Sequence, residues 1–469
     1  MRSEKWAVRS EQSTVAIKKA RGVSLRAFLF IKRKSYFSLR ILCGDLGFEG
    51  RAWRSKLRTR ILQVLICLAL LVGGCARQDR TVVSLSSWGD LKEAAILGDL
   101  CRMFEKANPG VRVALQRVPY GEYNSKLMTQ FAAGLAPDVL FVGIGQVTEF
   151  FPRGVMEPLD PYLARDPVDL KAYYPKSIEA FLLKGKLYAL PRDIAPVACV
   201  YYNKDLFAKA GVPNPKDDWD WDQLLSAAQK LTARDEKGGV TCWGYTDDWV
   251  DPGPWFLSMG ADWTDNWRHP TRYTFTDPAF VKGLQMRADL VHKYKVTPSA
   301  SAVMALGGGT ANLFINGRAA MFFSGIWKAP LFRGIKEFDW DVAMFPKGPT
   351  GKRGFIMGIA GYGISSSSKH KDLAWKLVKF LGGGEAAAVF ARSGLAQPTL
   401  MKVADSPLFL DDQKPLNKRM LIRAVEYGRW EPAALNWREV VNGYVSPTFD
   451  RIWSGDWTAR KAVDEWPGS

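Results

Sequence analysis

Apolar residues in the body of the chain switch between two periods. Thr81 to Ser87 (TVVSLSS) predicts a short strand ending at Trp88-Gly89-Asp90. Behind it Ala94, Leu97, Cys101 and Phe104 stand at offsets 0, 3, 7 and 10, one face of a helix that Asn108-Pro109-Gly110 stops. Asp90 and Glu93, three apart where that helix begins, fit a capping box. Val111 to Val118 predicts a second strand. Tyr123, Leu127 and Phe131 mark a second helix face that ends near Gly134, and Asp138 to Val142 (DVLFV) is a continuous apolar strand. The order β-α-β-α-β with short connections predicts an α/β fold whose parallel sheet is covered on both faces. In such sheets a ligand sits in the crevice beyond the carboxyl ends of the strands. That places three loops together: Ser86 to Asp90, Pro119 to Glu122 and Gly143 to Gln146.

Ahead of residue 75 the pattern is of another kind. Arg54 to Cys75 (RSKLRTRILQVLICLALLVGGC) has a basic stretch (Arg54, Lys56, Arg58, Arg60), an apolar run from Ile61 to Val72, then two glycines and a cysteine, the three-part layout of a signal peptide. The run has 12 residues including Gln63, whereas a permanent span needs ~20, so a transmembrane anchor is the weaker reading. Leu71-Val72-Gly73-Gly74-Cys75 resembles the lipobox of bacterial lipoproteins, although Ala or Ser is commoner than Gly at the first position before the Cys. Residues 54–74 are therefore expected to be a lipoprotein signal peptide, with Cys75 the lipidation site and first residue of the mature protein. Residues 1–53 are an upstream extension, either a start placed too early or a real basic arm.

Charge follows the same division. The 469-residue chain carries a net +18, but residues 1–74 hold 16 Lys/Arg against 4 Asp/Glu, so the excess belongs mainly to the N-terminus and does not predict nucleic-acid binding by the folded part. Three isolated histidines (His269, His292, His370) provide no HExxH and no zinc spacing, so no metal is expected. No GxGxxG or GxxxxGKS/T follows any of the strands, so no nucleotide cofactor is expected either. Gly307-Gly308-Gly309-Thr310 lacks a following Lys and reads as a loop before a helix around Ala311 to Asn316. Beyond Cys75 three cysteines remain, Cys101, Cys199 and Cys242, which are read as buried thiols with at most one bridge.

Five segments carry a family resemblance: Tyr120 to Gly143 (YGEYNSKLMTQFAAGLAPDVLFVG), Leu190 to Pro215, Trp219 to Thr232, Phe314 to Trp327 (FINGRAAMFFSGIW) and Gly361 to Leu381, in this order. The chain resembles the family 1 extracellular solute-binding proteins of bacterial ABC importers, the group that includes maltose-binding protein. The resemblance covers nearly all of residues 81–460. It implies a periplasmic-binding-protein fold of two α/β lobes, each a mostly parallel sheet flanked by helices, joined by several hinge crossings. Asp193 to Pro196, Pro346 to Gly348 and Gln397-Pro398 match those crossings, so lobe 1 is expected at 81–193 with 348–397 and lobe 2 at 194–347 with 398–469. It further implies a sugar receptor, monomeric, tethered to the membrane by its lipid in the periplasm or at the cell surface. Its partners would be permease subunits, and it would make or break no bond.

Sixteen tryptophans lie from Cys75 onward, five of them between Trp243 and Trp267 in a segment rich in Asp, Gly and Pro that lacks a helical period. A pyranose offers a face of C–H bonds for stacking and a rim of hydroxyls for carboxylates and amides, so aromatic platforms beside Asp, Glu and Gln suit it. Loop position and family motif together select Trp88, Glu122, Gln146, Asp193, Trp327, Gly358, Tyr362 and Trp437 as ligand-binding residues, with Trp249 and Asp251 from the Trp-rich segment. Maltose binders carry an acidic residue near Gly145, where this chain reads Gly-Ile-Gly-Gln, so maltodextrin specificity is not implied. Two other readings stay open: the same fold binding a polyamine, iron or glycerol phosphate, and an exported carbohydrate-active enzyme. For the enzyme, Asp217-Asp218 and Asp247-Asp248 are poor candidates, because a glycosidase needs carboxylates roughly 5 to 9 Å apart across the bond. They read instead as solvated acidic turns.

Overall fold

The structure is a computed structural model and describes residues 80–248, 252–305, 309–434 and 436–465. The upstream extension, the signal peptide, Cys75, Trp249 and Asp251 lie outside the described residues.

The predicted strands form as β1 (Thr81–Trp88), β2 (Val111–Val118) and β3 (Val139–Gly143), with α1 (Leu91–Ala107) and α2 (Tyr120–Ala132) between them. β1 lies between β2 and β3 and is parallel to both. All five residues of β3 are buried, which accounts for its unbroken apolar run. Leu97, Leu100, Cys101 and Phe104 turn one face of α1 onto the sheet. Only half of the capping box forms. Asp90 accepts the Glu93 N–H at 2.9 Å, while the Glu93 carboxylate turns away to Arg192.

Six further strands complete two sheets: β4 (Leu190–Pro196), β5 (Cys199–Asn203), β6 (Thr246–Asp247), β7 (Met321–Ser324), β8 (Trp340–Met344) and β9 (Phe355–Ser365). The larger sheet runs Gln397–Pro398, β4, β9, β3, β1, β2, with Met156–Glu157 and Gly428–Arg429 also paired to β9. The smaller runs β6, β7, β5, β8. Neither is the mostly parallel sheet expected. β9 is antiparallel to β3 and β4, and β5 is antiparallel to β7 and β8. The cause is the chain path. β5 arrives directly from β4 in the larger sheet and β9 returns directly from β8 in the smaller, so each enters its sheet from the end opposite to its neighbours.

The chain leaves the larger sheet through Val197 and Ala198, where Val197 N–H donates to Ile356 O at 3.0 Å. Each sheet has its own core. Val83, Phe141, Tyr362 and Trp375 belong to one, Tyr201, Phe322 and Trp340 to the other. A third cluster gathers Phe256, Trp263, Phe280, Trp437 and Phe449. Cys101, Cys199 and Cys242 are buried and unbridged, and burial pushes the Cys101 thiol up to about 12 and that of Cys242 up to about 11.

Candidate functional site

Because β1, β2 and β3 run parallel and in register, their carboxyl ends meet at one edge. Trp88, the last residue of β1, stands half-buried there. Its ring is edge-on to Tyr120 at 5.6 Å and Tyr123 at 5.0 Å and tilted against Phe141 at 4.3 Å. Glu122 is exposed in the first turn of α2. Gln146 is placed otherwise than expected. It is buried in α3 (Ile144–Phe150), its Oε1 accepting the Gly143 N–H at 2.8 Å and its Nε2 donating to Asn124 at 2.6 Å. One end of the amide caps the start of α3 and the other ties it to α2, so Gln146 is an interior support. Asn124 in turn donates to Glu149 at 2.8 Å, and Arg438 reaches the same carboxylate at 3.5 Å.

Asp193 is likewise an interior group. On β4 the Arg192 guanidinium lies between Asp193 and Glu93, with Nη1 3.0 Å from Glu93 Oε1, and against the rings of Phe141 and Phe390 at 4.1 and 4.6 Å. The three side chains are 5, 8 and 13% exposed for Arg192, Asp193 and Glu93. Burial raises the carboxyl pKa of both acids, against the pull of Arg192. The Asp193 carboxylate is thus taken by its neighbour. Glu93, read from sequence only as a cap, is the more accessible of the two acids; the spacing of the LPRD segment gave no hint of its partner.

The second sheet contributes Trp327. It follows β7 in a single turn of 3₁₀ helix (Ile326–Lys328), is half-buried, and packs against the core of each sheet. Asp248, which follows β6, accepts from Ser324 Oγ at 3.1 Å and pairs with Lys328 at 2.9 Å. Its neighbour Asp247 is buried and forms a two-point pair with Arg287, at 2.9 and 3.1 Å. Asp247-Asp248 is therefore no solvated turn, whereas Asp217 does lie half-exposed beside Arg423. Lys92 Nζ donates to Pro330 O at 3.1 Å, and Arg268 Nη2 donates to Glu179 O and Oε1 at 3.0 and 3.2 Å. These contacts link the start of α1 to Pro330 and the residue 268 loop to Glu179.

The remaining predicted residues do not join this group. Gly358 lies within β9 beside Ala195. Tyr362 is fully buried under Phe141 at 5.0 Å, and Trp437 is 5% exposed between Trp263 and Tyr273 in the third cluster. Neither ring offers a solute a face in this conformation; an aromatic side chain fills a core as readily as a site. Beside Trp437, Glu431 has its carboxyl pKa raised by burial, against Arg438 and the Trp437 indole N–H. Among the described residues no group of three His, Cys, Asp or Glu could hold a metal ion, and no helix is long and apolar enough to cross a membrane.

Two sheets with separate cores, a chain that crosses between them, and aromatic side chains where they meet define a two-lobed periplasmic-binding-protein fold. The chain belongs to the bacterial extracellular solute-binding protein family, whose model matches residues 84–388. It is thereby a solute-binding protein that works outside the cytoplasm. A protein of Brucella abortus described only as a binding protein is 27% identical over 84% of this chain and 91% of that one. A galactooligosaccharide-binding protein of Bacillus subtilis is 24% identical over 76% and 85%. An ABC substrate-binding protein from Listeria monocytogenes, solved in complex with cycloalternan, superposes with a TM-score of 0.75 at 26% identity, covering 82% of this chain and 97% of that one.

Proposed function

We propose that this protein is the receptor of an ABC importer for a neutral sugar, a mono- or oligosaccharide. It would take the sugar between two lobes, residues 81–193 with 348–397 and residues 194–347 with 398–469, and deliver it to permease subunits. The observation that carries the reading is Trp327, a half-buried indole in contact with both cores, with Trp88 half-buried at the carboxyl edge of the first sheet. The ligands of two similar proteins, galactooligosaccharide and cycloalternan, support a carbohydrate. Neutrality has its own support. Asp248 is matched by Lys328 and Glu149 by Arg438, so these carboxylates do not wait for a cationic ligand such as a polyamine.

A ligand held between two lobes stabilises the closed form only by as much as it prefers that form. The expected result is a raised melting temperature on a panel of sugars, since ligand at 100 times its Kd adds ~2.7 kcal/mol, with the bound sugar recovered intact and the radius of gyration reduced. Cleavage of the sugar would favour the enzyme reading, and a shift with polyamines alone would overturn the neutral ligand.

Lipid attachment at Cys75 belongs to the same proposal, supported by the basic, apolar and small-residue order from Arg54 to Cys75. Mass spectrometry of protein from its own cells is expected to show a diacylglyceryl-bearing Cys75 at the N-terminus. An unmodified Cys75, or a terminus at Met1, would count against it.

A further inference from the structure

We propose that Gly325 and Asp248 are positioning residues for Trp327: they lay its indole flat over the chain and hold it there as a rigid, uncharged platform. The inference rests on the sugar-receptor reading for its ligand class, a solute with a flat apolar face, but its geometry stands on the fold alone.

Gly325 sits between the end of β7 and the turn that carries Trp327. A methyl group added at Gly325 would land inside the indole, overlapping Cζ3, Cη2 and Cε3. Its backbone, at φ −96° and ψ 175°, is ordinary extended chain that any residue adopts. Glycine is therefore demanded by the ring and not by the backbone. The peptide beneath the ring is pinned from below, because the Tyr201 hydroxyl donates to Gly325 O at 2.9 Å from inside the second core. Asp248 fixes the two ends of the same stretch. One carboxylate oxygen takes Ser324 Oγ at 3.1 Å and Lys328 Nζ at 2.9 Å, the residues that bracket Gly325, Ile326 and Trp327. The backbone N–H of Asp248 adds a bond to Phe323 O at 3.0 Å. Pre-set rings bind better because less side-chain freedom is lost on binding. The Lys328 partner also cancels the Asp248 charge beside the indole, which suits a neutral pyranose.

The test uses the purified protein in five forms: wild type, Gly325→Ala, Trp327→Ala, Asp248→Asn, and Gly325→Ala combined with Trp327→Ala. Sugar affinity by calorimetry, near-ultraviolet circular dichroism and melting temperature are read for each. Gly325→Ala is expected to weaken sugar binding on the order of tenfold and to change the near-ultraviolet spectrum, with the melting temperature held because the backbone accepts Ala. Asp248→Asn is expected to lose a smaller factor of about two to five. In the Trp327→Ala background the Gly325→Ala change is expected to cost nothing further, the signature of a residue that acts through another. If Gly325→Ala alone fails to fold, the double variant is expected to fold, since the overlapping ring is gone. Wild-type affinity together with a wild-type spectrum in Gly325→Ala would overturn the proposal, as would an equal loss with and without Trp327. If wild type binds no sugar on the panel, the sugar reading fails, while the spectra and melting of the variants still decide the placement of the ring.

Discussion

Replacing Trp327 by Ala is expected to weaken sugar binding on the order of tenfold or more, the factor that ~1.4 kcal/mol represents. An indole buries a large apolar area at small conformational cost, and this one touches the cores of both sheets. Its removal therefore acts twice. The solute loses a stacking face, and the two cores lose a side chain that touches both. Moving an open-closed balance from 1:99 to 99:1 takes ~5.5 kcal/mol of differential binding, which several stacks and hydroxyl bonds must share. The measurement is calorimetric titration of wild type and variant, with the change in tryptophan fluorescence on binding as a second readout. An affinity equal to wild type would make Trp327 a bystander and take away the observation on which the proposed function leans.

Replacing Arg192 by Leu is expected to cost about 3–5 kcal/mol of stability at pH 7, the usual penalty for removing one partner of a buried ion pair. Asp193 and Glu93 would be left with two carboxylates in an interior that already raises the pKa of each by burial. The sign of the pH dependence follows. A carboxyl whose pKa is higher folded than unfolded lets the folded chain keep protons that the unfolded chain releases, so its contribution is present at low pH and is lost as pH rises from the ordinary carboxylate range through the raised value. Without Arg192, which pulls both values down, that window extends upward. The deficit of the variant is thus expected to shrink as pH falls from 7 toward 5, read by urea unfolding at each pH. A deficit that stays the same at both would assign the loss to packing against Phe141 and Phe390 and not to unpaired charge.

Much of the first sheet was legible in the chain. The bounds of β2 agree with the apolar run from Val111 to Val118, and α1 turns inward the face that Leu97, Cys101 and Phe104 mark. Local periodicity decides these elements, because a helix face or a buried strand is written in residues a few positions apart. Trp88 was placed by the same logic, since a parallel strand must deliver its last residue to the ligand edge. The antiparallel entries of β5 and β9 were not legible, because their direction depends on where the chain comes from and not on which residues they contain. The pairing of Glu93 with Arg192 joins residues 99 positions apart, and no local pattern records it.

The same division separates the aromatic residues. Trp88, Trp327, Tyr362 and Trp437 look alike as tokens in a sequence, and each sits in or beside a recognisable motif. Tertiary packing buries Tyr362 and Trp437 in two different cores, and leaves Trp88 half-buried at the carboxyl edge of the first sheet and Trp327 half-buried against both cores. By itself the sequence determined the order of the first five elements, a basic and apolar stretch before Cys75, the family, and a composition rich in Trp and poor in His. Only the tertiary structure decided which acids are already matched by a cation, which amide is used up in capping a helix, and which indole lies flat over a glycine. The physical reason is that element type follows from a period within one segment, whereas exposure, charge pairing and ring placement are set by contacts among segments that approach only when the chain has folded.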